Sequence, residues 1–155
     1  MREKYFPSAL FFILIVVLAS LALGNGYPLT ITSFETKDID GNPATTFRKG
    51  EVVVVETEIE YPAEEYYYYA PPGGMAYLQL VGFYYQDRMM GLLLTRGVIA
   101  SGETKSFGGG VQIRTTDPSG KYKISVFIWN GFPSEVGAAW QPLAEKQTKE
   151  ITVTP

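Results

Sequence analysis

The stretch EVVVVETEIEY, residues 51–61, decides the fold. Val53, Val55, Thr57, Ile59 and Tyr61 alternate with Val52, Val54, Glu56, Glu58 and Glu60. A period of two with acids on one side describes a strand with one face in a core and one in water. Wound as a helix, the same residues would put Glu56 and Glu60 on one side with Val52 and Val53, and no apolar stripe would form.

Outward from this strand the chain keeps the same grammar. Short runs rich in Val, Ile, Thr, Tyr and Phe are separated by clusters of Gly, Pro, Asp and Asn, which end strands and supply turns. Leu29 to Thr36 reads as an opening strand, closed by the turn Asp38-Ile39-Asp40-Gly41-Asn42-Pro43. Ala76 to Tyr85 is apolar on both faces, as in a central strand covered twice or a strand with one face left sticky. Asp87-Arg88 turns the chain into Met89 to Leu94, and Lys105 to Arg114 follows, its Gly108-Gly109-Gly110 run marking an expected bulge or bend. Asp117-Pro118-Ser119-Gly120 delivers Lys121 to Trp129, in which Tyr122, Ile124, Val126 and Ile128 share one face. Lys149 to Thr154 closes the domain with Ile151 and Val153 inward. About seven antiparallel strands with no amphipathic helix predict an all-β domain, a single β-sandwich of the immunoglobulin or fibronectin type III kind spanning residues 27–155.

The N-terminus is different. Between Tyr5 and Phe34 no charged residue occurs, and Ala9 to Leu23 is interrupted only by Ser20. This predicts an N-terminal hydrophobic helix in residues 1–24, acting as a signal peptide or membrane anchor. Ala22-Leu23-Gly24 offers small residues where a signal peptidase inspects the chain, giving a mature start at Asn25. Lys4 is followed by Tyr5-Phe6-Pro7, so the processing signal of a type IV pilin is missing. The expected location is secreted and extracellular, or membrane-anchored facing outside.

Composition removes whole classes of chemistry. The 155 residues contain no His and no Cys, which rules out thiol nucleophiles, histidine triads, Cys/His zinc sites and disulfides. A formal charge of −3 gives no footprint for nucleic acid. An enzyme would have to work through Asp and Glu alone, and Glu64 and Glu65, adjacent on an extended segment, point apart. The expectation is a non-catalytic protein.

Three groups of residues stand out as candidates. Tyr66, Tyr67, Tyr68 and Tyr69 cannot all be buried on one strand face, and tyrosine supplies a large amphipathic contact area with few rotatable bonds. Trp129 and Trp140 bracket the loop Asn130-Gly131-Phe132-Pro133; one is expected in or near the core, the other, Trp140, lining a groove. Asp38, Asp40 and Asn42 carry the alternating oxygens of a calcium loop, with Glu51 as an extra ligand. The EF-hand spacing fails at Pro43 and Lys49, so an Asx-type turn is the competing explanation, and no cofactor is expected.

The order of motifs, Asp40-Gly41-Asn42-Pro43, Phe47-Arg48-Lys49-Gly50-Glu51, Ser101-Gly102-Glu103-Thr104 and Asp117-Pro118-Ser119-Gly120-Lys121-Tyr122, resembles the extracellular Ig-like domains of prokaryotic, in particular archaeal, surface proteins. It is similar to CARDB and fibronectin type III-like adhesion modules. The resemblance implies an adhesion or binding module whose partner is a protein or a surface glycan, with Tyr122 as the counterpart of the tyrosine corner. An alternative is a structural subunit of an extracellular filament or coat, self-associating as the charge-poor segment 25–34 pairs with a neighbour's sheet edge.

Overall fold

A computed structural model describes residues 26–63 and 73–155. The expected hydrophobic helix of residues 1–24 and the tyrosines 66–69 lie outside the described residues. Among these residues eight strands form two sheets: β1 (Thr30–Lys37), β2 (Thr46–Arg48), β3 (Val52–Glu60), β4 (Met75–Tyr85), β5 (Arg88–Ile99), β6 (Thr104–Gln112), β7 (Gly120–Trp129) and β8 (Gln147–Thr154). Between β7 and β8 lie a one-turn helix, α1 (Pro133–Val136), and a 3-10 turn at Gly137–Ala139.

One sheet has the order β1-β3-β6 and the other β2-β8-β7-β4-β5. All pairings are antiparallel except β2 with β8. The reading of residues 51–61 holds residue by residue. Val53, Val55, Thr57, Ile59 and Tyr61 are buried between the sheets, while Glu56, Glu58 and Glu60 line the outer face. Facing them from β7 and β8 are Ile124, Val126, Ile128, Ile151 and Val153, all 2% exposed or less. Deleting the side chain of one such residue, as in Ile124→Ala, removes about 2–5 kcal/mol through lost transfer energy and the cavity left behind.

Four details differ from the sequence reading. Thr46–Arg48 is an eighth strand, and three residues are too few to show a period; Phe47 inserts into the core from it at 1% exposure. β5 continues past Leu94 to Ile99, because Gly97 lies beneath the Tyr77 ring of the neighbouring strand and is an ordinary ladder position. The glycine run makes no bulge: Gly108, Gly109 and Gly110 pair in continuous register with Glu56, Val55 and Val54. Their small size is used sideways instead, since a Cβ on Gly109 would sit 3.1 Å from Leu93 of the facing sheet, and one on Gly110 would sit 2.8 Å from Val52. The register shifts fall at Ile31/Ser33 and Phe83/Tyr84. Finally, residues 29–34 of the segment that the alternative reading made a strand donor are engaged within their own domain: Leu29 is buried and its N–H donates to the Leu143 carbonyl, and β1 pairs along β3.

Candidate functional site

The outer faces of the two sheets differ in chemistry. Over the three-stranded sheet a shallow groove is lined by Ser33, Glu56, Glu58 and Ser106. Its carboxylates are engaged, Glu56 by Lys37 and Glu58 by the Thr32 hydroxyl. The outer face of the five-stranded sheet is largely apolar and aromatic over β5, β4 and β7 and polar over β8. Pairing registers arrange it in rows across β5, β4 and β7: Arg96, Leu78, Trp129; then Leu94, Leu80, Phe127; then Leu92, Gly82, Ser125; then Met89, Tyr84, Lys123.

The connection from β7 to β8 lies over the first row. Asn130 closes it, its side-chain amide donating to the Ala139 carbonyl at 2.7 Å and its Oδ1 accepting from the Gln141 N–H at 3.0 Å. Glu135 holds it to the sheet: one carboxylate oxygen accepts from the Phe132 N–H at the start of α1, the other from Arg96 at 2.7 Å. Arg96 also lies 5.0 Å from the centre of the Phe132 ring. The Arg96 guanidinium, and after it the Phe132 N–H, hold the Glu135 carboxyl below its ordinary value. Leu78, between Arg96 and Trp129, is 1% exposed although it points out of the sandwich.

This connection brings Trp140 edge-on to Trp129, with ring centres 5.2 Å apart, and Trp129 is in turn 5.7 Å from Phe127. Neither tryptophan is in the core itself; Trp129 is half-buried on the outer face of the sheet. Period two sends Trp129 outward with Lys123, Ser125 and Phe127, because Ile124, Val126 and Ile128 take the inner face. Trp140 is exposed at the rim. Further down the sheet the Tyr84 ring lies on Gly82, where a Cβ would come within 2.6 Å of it. Glycine there lets an aromatic ring rest against the backbone. Phe127, Tyr84, Leu92 and Leu94 were not singled out from sequence; the usable signal was the apolar character of Ala76 to Tyr85 on both faces.

The structure does not bring Asp38, Asp40 and Asn42 together around a cavity. Asp38 Oδ1 accepts from the N–H groups of Asp40 and Asn42 at 3.0 and 2.8 Å, and Oδ2 from the Asn42 side-chain amide at 3.1 Å. The Asn42 N–H is the main reason its carboxyl lies below the usual range. This is an Asx turn built on one carboxylate. Glu51 accepts from the Arg48 N–H within its own turn. Among the described residues no three acidic side chains gather as a metal site would require, and no helix is long and apolar enough to cross a membrane.

Two packed sheets, a parallel β2/β8 pairing at one edge and a tyrosine in β7 whose hydroxyl bonds back to Pro118 define an Ig-like β-sandwich. No family model matches the chain, and no curated protein matches it in sequence. In structure it is similar to the C-terminal domain of Wzt, with TM-score 0.62 and 11% identity over 83% of this chain and 75% of that one. It is also similar to a Bacteroides uniformis β-glucuronidase, with TM-score 0.57 and 9% identity, over 81% of this chain but only 14% of the enzyme. A CARDB domain from Pyrococcus furiosus superposes at TM-score 0.47 with 12% identity over 84% of this chain and 96% of that one. At these identities the likenesses show the sandwich fold alone, and fold does not fix function.

Proposed function

We propose that this protein is a non-catalytic binding module, exported or tethered outside the cell, which holds a protein or surface glycan on the outer face of its five-stranded sheet. The observation that carries this reading is the Trp140–Trp129–Phe127 chain of ring contacts, displayed on a sheet face that also exposes Leu92 and Leu94. β7 holds Phe127 and Trp129, and the hydrogen-bonded connection after it holds Trp140, at little entropic cost, and aromatic anchors with a polar rim are what recognition surfaces use. Arg96, Lys123 and Lys146 supply that rim, Lys146 standing 5.6 Å from the Phe127 ring. The tyrosines 66–69 are a second contact in the same reading. The absence of His and Cys supports a non-catalytic reading, as does the engagement of Glu56, Glu58 and Glu135 in turns and pairs.

The test uses envelope polysaccharide and solubilised envelope protein of the host, immobilised separately and exposed to the full chain. One of the two should retain it, and Trp140→Ala should weaken retention by about tenfold or more, as hot-spot aromatics do. Retention by neither, or full retention by Trp140→Ala, overturns the site. Recovery of the chain from cytoplasm with an intact Met1 overturns the export.

A further inference from the structure

We propose that the protein forms a two-fold dimer through the free edge of β5, joining the five-stranded sheets of two copies into one. The observation is a contrast among the four sheet edges. β2 is three residues long, β1 carries Glu35, Lys37 and a register shift, and β6 presents Thr104, Ser106, Gly108, Gly110 and Gln112 on its outer face with Lys105 beside them. Such short, charged or irregular edges resist pairing with another chain. β5 confines these protections to its ends: its register shift falls at Met89–Gly91 and its charges are Arg88 and Arg96, so the central stretch from Gly91 to Thr95 is regular and uncharged. It runs for 12 residues with no Pro, Lys, Asp or Glu, and it pairs only with β4 among the described residues. Its outward side chains Met89, Leu92, Leu94 and Val98 are 44–50% exposed and make up four of the seven large hydrophobic residues exposed among the described ones.

The occupant follows from the strand's own pattern. A row of unpaired backbone N–H and C=O groups is completed by another strand, and a two-fold axis normal to the sheet makes that strand an antiparallel β5 of a second copy. This axis also leaves both outer faces on the same side, so both sandwiches remain closed. With the axis at Leu93, Leu92 lies opposite Leu94 of the second copy and Leu94 opposite its Leu92, giving four leucines in one cluster. Arg96 then lies opposite the irregular Met89–Met90 step of the second copy and not opposite another Arg, so no charge meets its like across the seam. The inner side of β5 is already filled, Leu93 by Gly109 and Gly91 by Val111, which leaves the edge and the outer row for the partner. The aromatic surfaces of two copies become continuous across this seam.

The test is sedimentation velocity of the full chain in detergent over a range of concentrations, alongside Leu94→Lys. The unmodified chain should show a concentration-dependent dimer, and Leu94→Lys should raise its dissociation constant by about 100-fold or more, since each dimer carries the change twice. Leu94 is half-exposed, so an unchanged far-UV spectrum is expected for the variant. The chain has no cysteine, so register is read separately: a mixture of Leu92→Cys and Leu94→Cys chains should oxidise to a covalent heterodimer, while each alone stays largely uncrosslinked. A monomer at every concentration, a dimer indifferent to Leu94→Lys, or a monomer carrying a foreign strand on β5 overturns the proposal. None of these outcomes depends on what the aromatic face binds.

Discussion

The Tyr122 hydroxyl donates to the Pro118 carbonyl at 2.8 Å, four residues back along the chain. The bond ties the turn entering β7 to the strand itself, while the ring packs 5.2 Å from Tyr85. Tyr122→Phe keeps the ring and removes the hydroxyl, leaving a partly buried carbonyl short of a partner. We expect a loss of about 1 kcal/mol, seen as a melting temperature lower by about 3–5 °C. Burial, and then the nearby Asp117 charge, raise the Tyr122 phenol above its usual value of 10.0. A raised value means the neutral form is favoured in the fold, so this stability is complete below pH 10.0 and is lost as pH rises through the folded value. The alkaline limb of the stability curve should therefore flatten in Tyr122→Phe, and an identical limb in the two proteins would count against it.

Tyr122 was legible in the sequence because its turn, Asp117-Pro118-Ser119-Gly120, and the alternation after it are both local signals. The same holds for β3 and β8. What escaped was non-local. β2 exists only by pairing with β8, Gly97 and Gly109 are explained by Tyr77 and Leu93 arriving from other strands, and Trp140 reaches Trp129 only because Asn130 and Glu135 fold the connection over the sheet. The aromatic surface is a property of register across three strands, which period alone does not supply.

Gln79 is the polar exception in the core. It is 1% exposed, donates from Nε2 to the Thr57 hydroxyl at 2.6 Å across the sheets, and leaves Oε1 without a hydrogen-bond partner. Thr57→Val strands the amide as well and should cost about 1–3 kcal/mol. Replacing both, with Gln79→Leu and Thr57→Val, removes every polar group at once and should recover most or all of that loss. Chemical denaturation of the single and double variants decides this; additive losses would show that the pair contributes more than its buried oxygen costs.

Acid should weaken the domain through its turns. Asp38, Glu103 and Glu135 each lie below their ordinary values, held there first by the Asn42 N–H, the Ala100 N–H and Arg96 respectively. A lowered value means that the stabilisation is present above the unfolded values of 3.8 and 4.5 and is lost as pH falls through the folded ones. The melting temperature should fall as pH drops below 4.5. Asp38→Ala should lower it at neutral pH and make the acid limb shallower. A limb unchanged in Asp38→Ala would remove the Asx turn from the explanation.

The β4–β5 hairpin carries its own strain. Tyr85 pairs with Arg88, and the two residues between them, Gln86 and Asp87, have φ of 45° and 64°. Two-residue hairpins of this hand match the twist of the flanking strands, but both central positions then require a backbone that side chains with a Cβ resist. Asn and Gly are the residues that adopt it at least cost. Gln86→Asn with Asp87→Gly should therefore stabilise the domain by about 1 kcal/mol, chiefly by relieving the folded backbone at Asp87. The exposed Asp87–Lys123 ion pair lost in the exchange is 3.9 Å long and worth little. Urea denaturation should show a higher midpoint at unchanged slope. Because the turn sits at the Met89 end of the free edge, a stiffer hairpin should also hold β5 in register, and any dimer formed there should tighten rather than loosen. A lower midpoint would mean that the wild-type residues make contacts in this turn that outweigh their backbone strain.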